Sequence, residues 1–344
     1  MNSKKWLIVS ILCIAAGLIL LLVSGVRNTG DLDSMMEHAG TEEALEEKTV
    51  TVTQDFDSIA VKEASTDVQL LPSGDGSCRV VYGENERVRY SVKVEGKTLT
   101  VSREDKGSVN FGITFYTREI PLQIYLPEQS YRSLLIETAS GDVLPAPGFS
   151  WETAEISTAS GDLKLQDFQA DELQIRTASG EVNLDRVRAE KLRIESASGD
   201  QSLRDCKLGT LKLETTSGEI DLEEISLAGE AELDSASGEI TLKQVEAEAL
   251  ELNSHSGELR LERTSCAGML RAETTSGEIR LKDAAAGSFE LRSTSGDVEG
   301  NILGTVDFIV DTASGEVSTA GGVRGGAPCR VRTTSGDVNL KAEG

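Results

Sequence analysis

A short motif, Ser-Gly followed by Asp or Glu, recurs eleven times between Ser140 and Asp337 at intervals of about 19 to 21 residues. A fixed period in this range is typical of a solenoid, in which each unit is too small to hold a core alone and must stack on its neighbours. The motif glycines are the predicted structural turn residues: Gly141, Gly161, Gly180, Gly199, Gly218, Gly238, Gly257, Gly277, Gly296, Gly315 and Gly336.

Apolar residues alternate with polar ones on both sides of each glycine. Leu173 and Ile175 stand seven and five residues before Gly180, and Val182 and Leu184 stand two and four residues after it. Alternation with period two indicates a strand, a turn and a second strand. Two further apolar columns follow, seven and nine residues after the glycine: Phe168, Val187, Cys206, Ile225 and Val245, then Ala170, Ala189, Leu208, Leu227 and Ala247.

These columns predict an all-β, single-stack parallel β-solenoid of about 11–12 coils, each of about 19–20 residues. We expect each glycine to supply a positive φ where the chain changes direction. A hydroxyl three residues before the glycine should stack into a ladder of Ser and Thr along the solenoid, at Thr138, Thr158, Thr177, Ser196 and Thr215.

Residues 49–130 are predicted to form an N-terminal β cap, followed by the regular repeats over residues 131–344. Ile59, Val61, Val68 and Leu70 occupy the repeat columns with Thr66 in place of the glycine, which indicates a degenerate first coil. Residues 88–101 alternate around Glu95-Gly96-Lys97, as expected for a hairpin, and residues 120–126 predict a strand that stops at Pro127. Such irregular elements protect an open solenoid end, whereas at the far end only the charged tail, residues 341–344, is available to do so.

The N-terminal region predicts a membrane anchor. Residues 6–26 carry no charge and follow Lys4 and Lys5, so residues 1–28 are interpreted as a cytoplasmic stub and a transmembrane helix with the solenoid outside the cytoplasmic membrane. The alternative is a cleaved signal peptide, although no Ala-x-Ala site follows. Residues 29–48, with seven acidic residues from Asp31 to Lys48, are interpreted as a flexible tether.

The formal net charge of −24 argues against nucleic acid and anionic lipid surfaces as ligands and favours cationic partners. The five cysteines form no Cys-x-x-Cys motif. Cys206 and Cys266 lie three coils apart, roughly 14 Å at the strand spacing, which is too far for a disulfide.

The acidic residue after each glycine forms a column in which neighbours would lie about 5 Å apart. One hypothesis is a line of weak Ca²⁺ or Mg²⁺ sites, because hard cations prefer carboxylate oxygens. The other is that these acids face solvent and serve turn formation and solubility. The weak metal-site candidates are Asp142, Asp162, Glu181, Asp200, Glu219, Glu239, Glu258, Glu278, Asp297, Glu316 and Asp337.

An enzyme acting on envelope polysaccharides is the alternative from another functional class. Such a site needs clustered acids, an aromatic platform or an inserted loop, but aromatic residues make up 4% of the chain and the repeats contain one histidine, His255. The sequence therefore predicts no catalytic residue and no cofactor.

The segment from Phe56 to Val61, the strand ending at Leu126-Pro127 and the many Thr-Ala-Ser-Gly-Asp/Glu turns resemble the bacterial putative-adhesin family of β-strand-repeat proteins, a domain-of-unknown-function group that includes LiaG-like proteins. The resemblance covers about residues 49–340 and implies a β-solenoid, attachment behind an N-terminal membrane helix, and a link to cell-envelope stress. It implies no catalytic residue. Gln201, Pro145 and Gly300 depart from the apolar columns, and we expect bent or loosely packed coils there.

The prediction is thus a membrane-anchored, extracytoplasmic, non-catalytic structural or binding module. Its partners would be the membrane, through residues 6–26, and an envelope protein or polymer.

Overall fold

The computed structural model describes residues 44–105 and 120–344, which contain 28 β-strands and no helix. They divide into two compact units, one ending at Phe168 and one beginning at Gln169. In the described segments no helix is long and apolar enough to span a bilayer. The proposed anchor at residues 6–26, Cys13 and most of the proposed tether lie outside the described residues. The strand β1 begins at Glu46, inside the segment interpreted as tether.

The first unit combines coils of parallel strands with an antiparallel cap. Its strands are β1 (Glu46–Val52), β2 (Ser58–Lys62), β3 (Val68–Pro72), β4 (Cys78–Glu84), β5 (Val88–Glu95), β6 (Thr98–Asp105), β7 (Leu122–Leu126), β8 (Ser130–Thr138), β9 (Val143–Pro145), β10 (Ser150–Thr158) and β11 (Leu163–Gln166).

The segment interpreted as a degenerate first coil contains strands β2 and β3. β2 pairs in parallel with β8 and β3 with β9, so that Ile59 meets Leu134 and Val68 meets Val143. The other side of this coil pairs with β6 and β7. The sequence of coils in space therefore differs from the sequence of coils along the chain.

The cap continues from these outer strands. β5 pairs antiparallel with β6 as the predicted hairpin, with Gly96 at φ +63°, and β4 pairs antiparallel with β7 and β1. Glu63 is buried beneath this region, where its carboxylate accepts hydrogen bonds from the Tyr90 hydroxyl (2.6 Å) and Arg103 Nη1 (3.1 Å). This buried charge is paired and hydrogen-bonded, as its desolvation requires.

The second unit is a stack of parallel coils. Its strands are β12 (Gln169–Thr177), β13 (Val182–Asp185), β14 (Arg188–Ser198), β15 (Gln201–Arg204), β16 (Lys207–Ser217), β17 (Ile220–Leu227), β18 (Glu230–Ser237), β19 (Ile240–Ala247), β20 (Ala249–Ser254), β21 (Leu259–Glu262), β22 (Ser265–Thr274), β23 (Ile279–Ser293), β24 (Val298–Leu303), β25 (Val306–Thr312), β26 (Val317–Ala320), β27 (Ala327–Thr333) and β28 (Val338–Glu343).

Register in this unit follows the predicted columns. Leu173 meets Leu192 and Ile175 meets Ile194 across β12 and β14, and each of these side chains is buried. The columns from Val187 to Val245 and from Ala170 to Ala247 are buried as well. Gln201 is buried despite its polarity, with its amide nitrogen donating to the carbonyl of Gly199. The predicted irregularity at Gly300 is present as a register shift between Leu281 and Ala284.

The last two coils are stacked in the reverse of their sequence order. β27 pairs with β23 on one side and with β25 on the other, and β28 likewise lies between β24 and β26. The far end was expected to be protected by residues 341–344. Of these, residues 341–343 belong to the interior strand β28, and residue 344 follows it. The stack ends instead in β25 and β26, and the loop of Gly321, Gly322, Gly325 and Gly326 belongs to this end coil.

The motif glycines are required mainly by close approach, which corrects the expectation based on φ. Gly218 does have a positive φ of +133°, but Gly257 is not among the positive-φ residues. A Cβ at Gly257 would lie 2.6 Å from the carbonyl carbon of Gly238 and closer still to its oxygen. The turns of adjacent coils thus pack backbone on backbone.

The turn hydroxyls bond within their own turns. Thr158 Oγ1 accepts the Gly161 N–H at 2.9 Å, and Ser254 Oγ accepts the Gly257 N–H at 2.8 Å. In the two turns where the glycine φ is +117° and +133°, Ser196 and Thr215 donate to the carbonyls of Ser198 and Ser217 instead. The predicted hydroxyl ladder is therefore chiefly a set of local turn bonds.

A second corner carries left-handed backbone at residues other than glycine. Seven positions, each six residues after a motif glycine, have φ between 49° and 56°: Asp167, Arg186, Asp205, Glu224, Gln244, Arg263 and Asp283. This conformation costs an L-residue about 1–2 kcal/mol. Backbone bonds between coils hold the corner in place, including Arg186 N–H to Arg204 O at 2.9 Å.

Candidate functional surfaces

The aspartates of the acidic column bind backbone rather than projecting freely. Asp67 Oδ1 accepts the Asp142 N–H, and Asp142 Oδ1 accepts the Asp162 N–H, both at 2.9 Å. In the second unit Asp200 Oδ1 accepts the Glu219 N–H at 2.9 Å, and Asp297 and Asp337 form the same bonds to the next coil in space. Each of these five aspartates therefore links its coil to the next.

Several glutamates of the column pair with arginines instead. Arg260 bridges Glu239 and Glu258, and Arg280 bridges Glu258 (2.7 Å), Glu278 (2.8 Å) and Glu299 (2.9 Å). A glutamate side chain is one methylene longer than that of aspartate and reaches past the turn to these guanidinium groups. The like-charge repulsion expected in a column about 5 Å apart is offset here by interleaved cations.

Asp221 stands two residues after Glu219 of the acidic column. Burial, reinforced by Glu239, Asp200 and Glu223, raises the pKa of Asp221, while Lys243 opposes the effect. Among the described residues no group of three or more His, Cys, Asp or Glu side chains is arranged to hold a metal ion. Since Asp200 already accepts a backbone N–H, the geometry favours the structural interpretation of the column.

The outward side chains of the long strands in the second unit form a second charged surface, which we call the long face. Arg193 bonds Glu195 at 2.6 Å within its coil and Glu214 at 3.3 Å in the next. Lys212 continues the chain to Glu214 and Glu232. Because each cation contacts two coils, the ion pairs form a connected network.

Asp234 lies within the long face beside Asn253 of the next coil. Burial raises the pKa of Asp234 to about 6, and Glu232 adds to this effect. By contrast, the hydrogen bond from Lys212 lowers the pKa of Glu232. The Oδ1 atom of Asn253 is buried without a hydrogen-bond partner among the described residues. Asp234 is therefore the position in this network where burial works against the ionised form, next to a buried acceptor that lacks a hydrogen bond.

A shallow groove of about 420 Å³ lies just after the left-handed corner, over residues such as Gln169 and Arg188. Its rim carries Gln169, Arg188, Lys207 and Ser226, which stand in one register column. A second groove of about 480 Å³ shares Lys207 and Ser226. Both grooves are open and are lined by mixed charges, so they can accept an extended chain along a rim but cannot enclose a small molecule.

The four described cysteines and the single repeat histidine show no reactive arrangement. Cys78, Cys206, Cys266 and Cys329 are free and buried, which confirms that Cys206 and Cys266 do not bridge. Burial raises the pKa of the Cys206 and Cys266 thiols to about 11, away from the reactive range. His255 is exposed in its turn, where only its backbone bonds appear, to Ser235 and Ser276.

Sequence reasoning missed several of these features. The hydrogen bonds from the column aspartates to the next coil leave a weak signal in the sequence, because those positions carry Asp and not Glu. The buried Glu63 pocket leaves none, because Glu63 precedes an ordinary-looking Ala-Ser-Thr segment. The left-handed corner leaves only a uniform polarity, since its seven residues are all polar and none is glycine or asparagine.

Residues 56–262 and 235–344 match the family described as Toastrack DUF4097. The chain belongs to this family. The resemblance inferred from the repeats is thereby confirmed, and the Toastrack domain spans both units of the protein. A search among curated proteins found no match.

Solved structures with a similar arrangement include a "putative adhesin" from Bacteroides fragilis, which is 13% identical, with 88% of this chain and 98% of that chain covered and a TM-score of 0.34. A "putative lipid binding protein" from Parabacteroides distasonis is 17% identical, with 86% and 96% covered and a TM-score of 0.34. A "putative adhesin" from the same species is 12% identical, with 88% and 98% covered and a TM-score of 0.34.

Proposed function

We propose that this Toastrack protein is a non-catalytic binding module, anchored by residues 6–26 and displayed outside the cytoplasmic membrane. The observation that carries the proposal is the long face, where ion pairs such as Arg193 with Glu195 and Glu214 hold charged side chains in register from coil to coil. Such a surface is preorganised, so a partner that binds it does not have to order flexible side chains.

The charge of the chain limits the partner. A net charge of −24 favours an envelope protein or polymer that carries cationic groups, since electrostatic complementarity governs encounter and orientation. The acidic stretch around Asp221 is the part of the surface where such groups would gain most. Membership of the Toastrack family is compatible with this role.

The membrane topology can be tested with single cysteines and a membrane-impermeant maleimide. We expect Glu246→Cys, an exposed position, to be labelled in intact cells, and Ser3→Cys to be labelled only after lysis. Because the four described native cysteines are buried, they give little background. Labelling of Ser3→Cys but not Glu246→Cys in intact cells would refute the topology.

The binding role can be tested by crosslinking in intact cells followed by mass spectrometry. Capture of an envelope component should fall when an acidic charge of the long face is reversed, for example in Glu232→Lys, and should persist in Glu86→Lys at an exposed position of the cap. Capture of cytosolic proteins alone would contradict both the location and the function. Turnover of an envelope polysaccharide by the purified protein would favour the enzymatic alternative.

A further inference from the structure

The end coil of the second unit, residues 305–326, is an unpaired copy of the coils beneath it. β25 pairs only with β27, and β26 only with β28, among the described residues. The opposite edge of each strand therefore presents backbone donors and acceptors with no strand beside them. One bond partly covers the start of this edge, from the Val323 N–H to the Val306 carbonyl at 2.7 Å.

The apolar columns also stop at this end, where no described strand covers them. Val317 occupies the column of Val338 and Val298, but it is 48% exposed where those two are 1% and 0% exposed. Val310 is half-buried above the buried Val331, and Phe308 above the buried Cys329. The end coil thus has the inward side chains of a core layer but lacks the next layer.

The edge strands lack the features that usually prevent association. Exposed edges are commonly protected by lysine, proline or inward-pointing charge. β26 contains no charged residue, and β25 contains no lysine or proline. The two charges of β25, Asp307 and Asp311, stand at the outward positions of the strand, between the inward Val306, Phe308 and Val310. By contrast, the outer strand β1 in the cap of the first unit begins Glu-Glu-Lys and is largely exposed and charged.

We propose that this end coil is a docking surface for the end coil of a second copy of the chain, related by a twofold axis. Coil-on-coil stacking is the interface repeated throughout the second unit, and the pairing would continue it by one more step. A twofold axis makes the two β25 edges antiparallel, so the same donors and acceptors satisfy each other in both copies. The apolar Val317 and Val310 side chains of each copy would cover those of the other.

The expected complex is weak. The seven residues of β25 span about 23 Å, and sheets pack about 10 Å apart, so one coil presents a projected area of only a few hundred Å². Even summed over both copies, that area is below the roughly 1,000 Å² of a stable specific interface, and the net charge of both copies opposes association. We therefore expect dimers that form at high protein concentration and strengthen with salt, which screens the repulsion.

The test is sedimentation velocity of the full-length protein in density-matched detergent, over a concentration series at low and high salt. The wild type should shift from monomer to dimer, and Val317→Lys should raise the dissociation constant by at least about tenfold, because it buries two unpaired ammonium groups. The matched control is Met269→Lys, since Met269 is exposed to a similar extent (44%) but lies on the side of the stack. This control should associate like the wild type.

Three results would overturn the proposal. The first is a wild-type protein that remains monomeric at every concentration. The second is equal association of Val317→Lys and the wild type, because the contact would then lie elsewhere, for example in the N-terminal segment. The third uses a spin label at Val317→Cys. If the label is inaccessible to a water-soluble relaxation agent in the monomer, another segment of the same chain covers the end. Support requires an accessible label in the monomer and a short distance between labels in the dimer.

Discussion

Replacing Asp234 by Asn should stabilise the protein at neutral pH and leave it almost unchanged in acid. The pKa of Asp234 is raised from 3.8 to about 6, first of all by burial. Holding such a carboxyl ionised costs about 3 kcal/mol, and the solvent contact that the side chain retains reduces our expectation to about 2 kcal/mol.

The direction of the pH dependence follows from the proton uptake of the two states. Between pH 4 and pH 6 the folded protein holds a proton on Asp234 that the unfolded chain has already lost. The contribution of Asp234 to stability is therefore fully present below about pH 4 and is lost as the pH rises through about 6. The Asn side chain has no such dependence, and its N–H can donate to Asn253 Oδ1, which has no hydrogen-bond partner among the described residues.

The measurement is thermal and urea unfolding of the wild type and Asp234→Asn at pH 4 and pH 7.5, followed by circular dichroism. We expect a gain of about 2 kcal/mol at pH 7.5, or roughly 5 °C in the melting temperature, and a much smaller gain at pH 4. Asp171→Asn, at an exposed position, is the matched control and should change little at either pH. An equal gain for Asp234→Asn at both pH values, or no gain at pH 7.5, would refute the electrostatic reasoning.

Three further substitutions test the packing of the coils by the same unfolding assay. Gly257→Ala places a Cβ against the backbone of Gly238 and should lower the free energy of unfolding by at least about 3 kcal/mol. The control Gly74→Ala, whose Cβ meets no atom within 4 Å, should be nearly neutral. Similar losses of stability in the two variants would contradict the close-approach explanation. Gln244→Gly replaces a left-handed residue at φ 55° by glycine and should raise the free energy of unfolding by about 0.5–1 kcal/mol. The control Lys243→Gly, at the neighbouring position, should lower it by a similar amount. If both variants are less stable than the wild type, the left-handed backbone is not the source of strain. Ser254→Ala removes the acceptor of the Gly257 N–H and should lower the free energy of unfolding by about 1–3 kcal/mol. The control Ser235→Ala, in the same column, removes a hydroxyl without a partner among the described residues and should be neutral or stabilising. Equal effects on stability would show that the turn bond contributes nothing.

The coil itself was predictable because its residues face one strong constraint. A side chain in the column of Leu173 and Leu192 must be apolar, so burial leaves a periodic record in the sequence. The degenerate coil at Ile59 and Val68 was found for the same reason, even without its glycine. The glycine period was also visible, but the sequence could not show that Gly257 is required by contact with Gly238 and not by its φ.

The stacking order at the end of the second unit could not be predicted. The repeats around Gly296, Gly315 and Gly336 all carry the glycine motif and apolar residues seven and five positions before it, and they differ at the fourth position after it, where Gly300 and Thr319 replace the apolar residue. These columns do not fix the order of the three coils. The left-handed corner was hidden because the backbone bonds that hold it, such as Arg263 N–H to Lys282 O at 2.7 Å, do not depend on the side chain. Apart from polarity, a feature fixed by the backbone leaves little mark on residue type.

The exchanged order of the last coils bears on how the end of the second unit is held. β25 and β26 follow β24 along the chain, but their only strand partners among the described residues are β27 and β28, so the end coil cannot dock until the residues after it have added to the stack. β28 is bonded on both edges, to β24 and β26, and detaching it would release the end coil as well. An ordinary solenoid end frays one coil at a time, because each coil contacts only its neighbours. Here the exposed coil is anchored through an interior one, which allows an open apolar edge to persist at the end of a highly charged chain.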